Sequence, residues 1–380
     1  MQPVDVSTAD GLVTAERAIA GALDGGTPVL PLAGPGPGPA VAAQEVEGVA
    51  AVVATSGSSG TPKHVLLSAR ALRTSGEATL DHLGGPGQWL LALPAQHVAG
   101  FQVLCRSVLA GTSPVALPPG APFTVEAFAA AVARMRRDVP RYASLVPTQL
   151  TRLLRHPSGV AALGDLDAVL VGGAALPAPV ADLVRQHRLP VVTTYGMTET
   201  SGGCVYDGRP LRGVRVELAD GRIRLGGPVV AQGYLGLPDL TRERFATHGG
   251  TRWYLTDDAG QLEDDLLRVL GRVDDVINTG AHKVDPVDVV AALLRVPGVR
   301  AAHVEGVPDE EWGQLVAAAV VPDGPVSLDP EEVRGAVRGA LPAHAVPRRV
   351  VLLESLPLLP SGKPDRLRLR HLLACGGGTI

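Results

Sequence analysis

From about residue 49 the chain alternates short β-branched runs with longer amphipathic stretches, and that alternation admits few folds. VAAVVAT (49–55), WLLAL (89–93), YASLV (142–146), DAVLV (167–171) and PVVTTY (190–195) read as buried strands. Between them, 69–82, 124–137, 147–155 and 178–188 place apolar residues at helical spacing. Strands alternating with helices predict an α/β architecture with a largely parallel, helix-covered sheet. PLAGPGPGP (31–39) reads as an irregular connector. After residue 205 the texture changes: VRVEL (214–218), RIRLG (222–226) and LLRVLG (266–271) are separated by glycine turns, which predicts a small antiparallel β element. A third texture follows GRVDD (271–275), with helices expected at 286–294 and 329–339 and strands at 299–307, 315–321 and 348–354. The expected organisation is a large N-terminal domain of helix-covered sheets, 1–272, and a smaller α+β C-terminal domain, 275–380.

Charge removes several functions. The net charge is −4, and no basic stretch or basic–aromatic interleaving occurs, which argues against nucleic-acid binding. Cys105, Cys204 and Cys375 show no metal-ligand spacing, which fits a reducing compartment. No apolar run reaches about 18 residues, so membrane insertion is not expected. The N-terminus lacks a basic, apolar leader, so the expected location is cytoplasmic.

Of 34 lysines and arginines only Lys63, Lys283 and Lys363 are lysine, each in a glycine-containing loop motif. Lysine is a compact point charge where arginine is a planar fork, so three retained lysines beside glycines point to phosphate or carboxylate chemistry. Thr55-Ser56-Gly57-Ser58-Ser59-Gly60-Thr61-Pro62-Lys63 follows an expected strand directly. Its small residues let backbone N–H groups converge on an anion. It is not a Walker A loop, because Thr-Pro-Lys-His follows Gly60 where Gly-Lys-Ser/Thr is required. Tyr195-Gly196-Met197-Thr198-Glu199-Thr200 stands at another strand end, where open α/β sheets bind ligands. There Glu199 is placed to hold Mg²⁺, which takes one or two carboxylates plus phosphate oxygens. Three weaker segments follow: Thr256-Asp257-Asp258-Ala259-Gly260, Gly271-Arg272-Val273-Asp274-Asp275 and Pro360-Ser361-Gly362-Lys363-Pro364-Asp365-Arg366.

In their order and spacing these segments resemble the adenylate-forming superfamily of acyl-CoA synthetases, peptide-synthetase adenylation domains and luciferases, over residues 49–371. The resemblance implies that 55–63 is the phosphate loop. It makes Tyr195, Gly196 and Met197, with Gly173, Ala174 and Ala175, the adenine surroundings, and Thr198 and Glu199 part of the catalytic, magnesium-binding motif. Asp258 and Arg272 would contact ribose, Asp274 would be the pivot of a mobile C-terminal domain, and Lys363 would bridge the substrate carboxylate and α-phosphate. The loop with Gly280 and Lys283 would meet coenzyme A. Two departures are His64 and Asp257, each where glycine is usual; a third is a shortened N-terminal subdomain, about 54 residues before the phosphate loop.

LPAQHVAGFQVLCRS (93–107), SLVPTQL (144–150), VGGAALP (171–177) and YGMTETSGGCVYDGRPL (195–211) resemble the o-succinylbenzoate–CoA ligase branch of menaquinone biosynthesis. That branch implies an AMP-forming acid–CoA ligase using ATP, Mg²⁺ and coenzyme A. His97 would gate the acyl pocket, and Thr200, Ser201, Gly202, Gly203 and Arg106 would hold the second carboxylate. Another aryl or short-chain acid, or a nucleotide-binding relative without ligase activity, remain as alternatives, and assembly as a homodimer stays open.

Overall fold

A computed structural model describes residues 1–39, 43–55, 62–324, 328–359 and 364–375. Six of the phosphate-loop residues, Ser56, Gly57, Ser58, Ser59, Gly60 and Thr61, and also Lys363, lie outside the described residues.

The first sheet begins earlier than the sequence reading placed any element. β1 (Gln2–Asp5), α1 (Ala9–Leu23) and β2 (Val29–Leu32) form a βαβ unit, with β1 and β2 parallel. Thr8 caps α1 by accepting from the Gly11 amide, and Leu12, Ala15, Ile19 and Ala22 give it one buried face. β3 (Val49–Ala54) and β4 (His64–Ser68) then pair antiparallel on either side of the phosphate loop. A fifth strand, Gly233–Tyr234, pairs with β4 from far along the chain.

The second sheet is the expected parallel one. After α2 (Ala69–His82) come β5 (Gln88–Leu91), α3 (Val98–Ala110), β6 (Val115–Ala116), α4 (Val125–Ala133), β7 (Arg141–Leu145), α5 (Pro147–Leu154), α6 (Pro157–Gly164), β8 (Ala168–Val171), α7 (Ala178–Gln186) and β9 (Val191–Met197). β6, β5, β7, β8 and β9 lie parallel in that spatial order, and β10 (Gly202–Tyr206) and β11 (Arg209–Pro210) add an antiparallel edge. Trp89, Phe101, Leu104, Tyr142 and Leu145 are buried to within 1% exposure, so helices on this sheet close a dry core despite few aromatics.

The third sheet contains β12 (Arg215–Ala219), β13 (Arg222–Gly226), β15 (Phe245–His248), β16 (Thr251–Glu263) and β17 (Leu266–Arg272); β14 (Gly233–Tyr234) is the strand already paired with β4, and α8 spans Pro238–Arg244. β12 and β13 pair antiparallel, as the glycine turns predict.

The fourth sheet has its own apolar core. β18 (Ile277–Thr279), β19 (His282–Val284), β20 (Val299–Asp309), β21 (Gly313–Pro322) and β22 (Arg349–Leu352) combine with α9 (Pro286–Leu293), α10 (Pro330–Ala340) and α11 (Arg366–Cys375). β20 and β21 form a long antiparallel hairpin, and β22 joins β21 in parallel. Ile277, Val289, Leu293, Val316, Val320, Val333 and Val337 make one cluster, which packs α9 and α10 against the sheet. By backbone contacts the chain divides into two compact units. One comprises Met1–Leu176, Leu183–Thr256 and Leu262–Arg268; the other comprises Pro177–Asp182, Asp257–Gln261 and Val269–Ile380.

Candidate active site

The mouth of the phosphate loop is held by its own ends. The Thr55 amide donates to Lys63 O at 2.8 Å, and the Lys63 amide donates to Thr55 Oγ1 at 3.2 Å. The loop therefore leads from one strand into another, with no helix start after it. His64 opens β4, and partial burial holds its imidazole below the usual histidine range, so it is neutral at pH 7.

Glu199 sits in a single turn, Thr198–Thr200, between β9 and β10, and its side chain is buried at 7% exposure. The turn closes on itself: Thr200 Oγ1 accepts from the Met197 amide at 3.1 Å and donates to Gly202 O at 2.9 Å. Close approach of the flanking strands requires glycine, because a Cβ on Gly196 would lie 2.2 Å from Gly202 O. Glu199 Oε1 accepts from the Tyr234 hydroxyl at 2.9 Å. Burial pushes that hydroxyl far above the usual phenol range, and the neighbouring Glu199 carboxylate pushes the same way, so Tyr234 stays protonated and donates. Lys63 Nζ stands 5.3 Å from the centre of the Tyr234 ring. Tyr234 was not among the residues singled out in the sequence. It comes from a two-residue strand with no periodicity to read, and only the pairing Tyr234↔Val65 brings it beside Lys63.

Ser201 follows in the left-handed region at φ 56°, fully buried. Its carbonyl accepts from Gln102 Nε2 at 2.5 Å and from Ser75 Oγ at 3.0 Å, and its hydroxyl donates to Val229 O at 2.9 Å. The hydroxyls of Thr200 and Ser201, expected to face the acid, are engaged with the backbone here. Both protons are committed to backbone carbonyls, and both side chains are buried at 0% exposure.

A Cβ on Gly202 would stand 3.2 Å from Gln102 Cγ and 3.8 Å from Val98 Cγ2, so the first turns of α3 face the Gly202 loop. His97 is the residue immediately before α3. Gln149 joins the next segment: its Oε1 accepts from the Val146 amide at 3.1 Å, and its Nε2 donates to Ala92 O at 2.9 Å. Gly203 pairs with Gly196 across β9 and β10. Gly173, in the left-handed region at φ 84°, begins an exposed stretch with Ala174 and Ala175 at the end of β8.

Arg106 is the second buried charge of this unit, at 3% exposure. Its guanidinium lies 5.0 Å over the Trp89 ring, and Nη2 donates to the Tyr206 hydroxyl at 3.4 Å. Among the described residues no carboxylate pairs with it, and Nε has no partner. Burial pushes the thiols of Cys105 and Cys204 up to about 12, so neither is a nucleophile.

In the second unit, Arg272 donates from Nε to Asp274 Oδ1 and from Nη2 to Asp274 Oδ2, each at 2.8 Å. Nη2 also lies 3.5 Å from Asp257 Oδ2, so the aspartate that replaces glycine reaches this arginine. The Asp274 hydrogen bonds first, and then the charges of Asp274, Asp275 and Asp258, push the Arg272 guanidinium further above its usual range. Gly280, at φ 60°, makes the tight turn between β18 and β19, its amide donating to Trp312 O at 2.7 Å, and Lys283 is exposed on β19. The segment with Lys363 is closed at its base by a bridge between Leu358 and Pro364 and by the Asp365 amide donating to Pro357 O at 2.9 Å.

Comparison with known proteins gives two family matches: AMP-binding enzyme over residues 7–235, and AMP-binding enzyme C-terminal domain over 289–363. The chain is 47% identical over 326 residues to a probable 2-succinylbenzoate–CoA ligase of Mycobacterium tuberculosis, covering 84% of each. It is 31% identical over 392 residues to the 2-succinylbenzoate–CoA ligase of Geobacillus kaustophilus, covering 95% of this chain and 78% of the other. Among solved structures, the o-succinylbenzoate CoA synthetase MenE of Bacillus subtilis in complex with its acyl-adenylate intermediate superposes with a TM-score of 0.72 at 28% identity, covering 86% of this chain and 69% of that one. The amide bond synthetase McbA of Marinactinospora thermotolerans gives 0.76 at 29% identity, covering 91% and 75%. The chain belongs to the AMP-binding enzyme family, within the adenylate-forming superfamily that its motifs resemble.

Proposed function

We propose that this protein is an ATP-dependent, AMP-forming acid–CoA ligase that converts 2-succinylbenzoate to its CoA thioester through an acyl-adenylate. The observation that carries the substrate is Arg106, a buried guanidinium without a carboxylate partner among the described residues, in the helix whose first turns face the Gly202 loop. A buried cation without a counter-ion is costly, and an anionic ligand offsets that cost. A substrate with two carboxylates can present one to the reaction and direct the other toward this charge. The backbone of Gly202 and Gly203 and the ring of His97 complete the surroundings assigned to the acid. The relatives' names support the same choice.

In the first step a carboxylate oxygen of the acid attacks the α-phosphorus of ATP. A P–O bond forms to the acyl oxygen and pyrophosphate leaves. Both partners are anionic, so charge neutralisation and alignment dominate. Glu199 fits a magnesium ion: one oxygen is fixed by Tyr234, and the other has no hydrogen-bond donor among the described residues. Mg²⁺ takes one or two carboxylates plus phosphate oxygens and, when bound, neutralises the triphosphate. Thr198 shares the turn, the 55–63 loop and Lys63 are assigned to the phosphates, and Tyr195, Gly196, Met197, Gly173, Ala174 and Ala175 to adenine. Asp258 and Arg272 are assigned to ribose and Lys363 to the reacting carboxylate. In the second step the CoA thiol displaces AMP. Asp274 is assigned to the pivot between steps, and Gly280 and Lys283 to coenzyme A. The location assigned is the cytoplasm.

Exchange of radiolabelled pyrophosphate into ATP, driven by a panel of carboxylic acids with and without CoA, tests this. Exchange should be strongest with 2-succinylbenzoate, and a thioester should appear only with CoA. Stronger exchange with a monocarboxylic aryl or short-chain acid would replace the substrate, and the absence of exchange with every acid would leave a nucleotide-binding protein.

A further inference from the structure

We infer that Tyr234 is a positioning residue for adenylation, which sets Glu199 and Lys63 relative to each other with a single side chain. The inference rests on the ligase reading above and extends it to a residue outside the family motifs named so far.

Three contacts define the role. The Tyr234 hydroxyl donates to Glu199 Oε1 at 2.9 Å, with both residues buried. The face of its ring receives Lys63 Nζ at 5.3 Å from the centroid, within the range of a cation–π attraction. Its own hydroxyl oxygen lies 3.4 Å from the Tyr254 hydroxyl. The phenol is itself tightly held. Phe245 meets its ring edge-on at 5.3 Å, and the Tyr234 amide donates to Thr241 Oγ1 at 3.0 Å. A Cβ on the preceding Gly233 would lie 2.4 Å from Thr241 Cγ2, so that backbone cannot slide past α8.

Register completes the argument. Tyr234 pairs with Val65, two residues after Lys63, while the Ala231 amide donates to Glu199 O at 2.9 Å. The segment 231–234 is thus stitched to the Glu199 turn at one end and to the strand leaving the phosphate loop at the other. A metal-holding carboxylate works only if its free oxygen is aimed, and groups that fix such a carboxylate affect metal binding almost as much as the ligand itself. A purely structural tyrosine would need neither the hydroxyl on Glu199 nor the lysine on its face.

Tyr234→Phe separates the two roles, because it keeps the ring, its packing and the face toward Lys63 while deleting only the hydroxyl. Binding of Mn²⁺ in the presence of ATP and without acid, followed by electron paramagnetic resonance, should weaken about 10-fold. Acid-dependent pyrophosphate exchange should fall by a similar factor, while thioester formation from supplied acyl-adenylate and CoA stays at the wild-type rate. In a Glu199→Gln background Tyr234→Phe should add nothing, as expected of residues acting through one contact. Unchanged Mn²⁺ affinity in Tyr234→Phe, or an equal fall in both half-reactions, overturns the role. Wild-type protein with no acid-dependent exchange would instead remove the ligase reading, so the two failures are distinguishable.

Discussion

Arg272 grips Asp274 with two parallel hydrogen bonds of 2.8 Å, the bidentate arrangement of guanidinium and carboxylate. The residue assigned to ribose and the residue assigned to the pivot thus satisfy each other, and a ribose hydroxyl reaching Arg272 must compete with a carboxylate. The Arg272 hydrogen bonds hold the Asp274 carboxyl below its ordinary range. A depressed carboxylate stabilises the fold above its unfolded pKa of about 3.9 and loses that contribution as pH falls through the folded value. Asp274 is more than half exposed, so solvent screening keeps the effect below about 1 kcal/mol. Melting temperatures between about pH 6 and pH 3 should fall more steeply for wild type than for Asp274→Asn. Parallel curves would show that the pair adds no pH-dependent stability.

Arg366 ties α11 to two other places in its unit. Nη2 lies 2.5 Å from Asp275 Oδ1 and Nε lies 3.3 Å from Glu305 Oε1, where Glu305 is buried at 3% exposure. Arg370 lies 3.4 Å from the same Glu305 oxygen. Glu305 keeps Arg370 and, at 3.8 Å, His303 as neighbours, so losing the charged hydrogen bonds of Arg366 in Arg366→Ala should cost about 1.5–3 kcal/mol in urea unfolding. The double change Arg366→Gln with Glu305→Gln should recover much of it. Equal losses in the single and double variants would mean that packing, not charge, accounts for the cost.

Gly196→Ala should disable adenylation with only modest loss of folding. The added methyl would stand 2.2 Å from Gly202 O and 2.7 Å from Gly203 Cα, so β9 and β10 must separate just beside Glu199. A displacement of about 1 Å at a reacting site can cost about 10²-fold, and exchange should fall by that order. A near-wild-type rate would show that the turn tolerates the separation.

Gln149→Leu should act on the acid rather than on ATP. Its amide holds the Val146 amide and Ala92 O together, fixing SLVPTQL against the loop before His97. With that brace gone, KM for the acid should rise about 10-fold while KM for ATP stays put. Equal effects on both substrates would place the brace outside the acyl surroundings.

Much of the parallel sheet was legible because its strands are continuous apolar runs and its helices keep one periodic face. α2 (Ala69–His82) and β13 (Arg222–Gly226) fall where the sequence put them. β1 and β2 were missed because each is only four residues long and carries a proline, Pro3 in Gln2–Asp5 and Pro31 in Val29–Leu32, which makes both look like connector. Site residues in motifs were legible as motifs, but their partners were not. Tyr234 and Gln102 lie far along the chain from Glu199 and Ser201, and nothing local announces either contact. The commitment of the Thr200 and Ser201 hydroxyls to backbone carbonyls was likewise invisible, since a Thr-Ser pair reads the same whether it faces a cavity or a core.

The donor on Glu199 is a phenol that carries no charge and, with its proton held by burial, gains none on ordinary acidification or alkalinisation. An arginine in that place would steady the carboxylate equally well but would extinguish the local negative field that attracts a dication. A histidine would make that field rise and fall with each unit of acidity near neutrality. With tyrosine, Glu199 is anchored by a donor that adds no charge of its own beside the carboxylate.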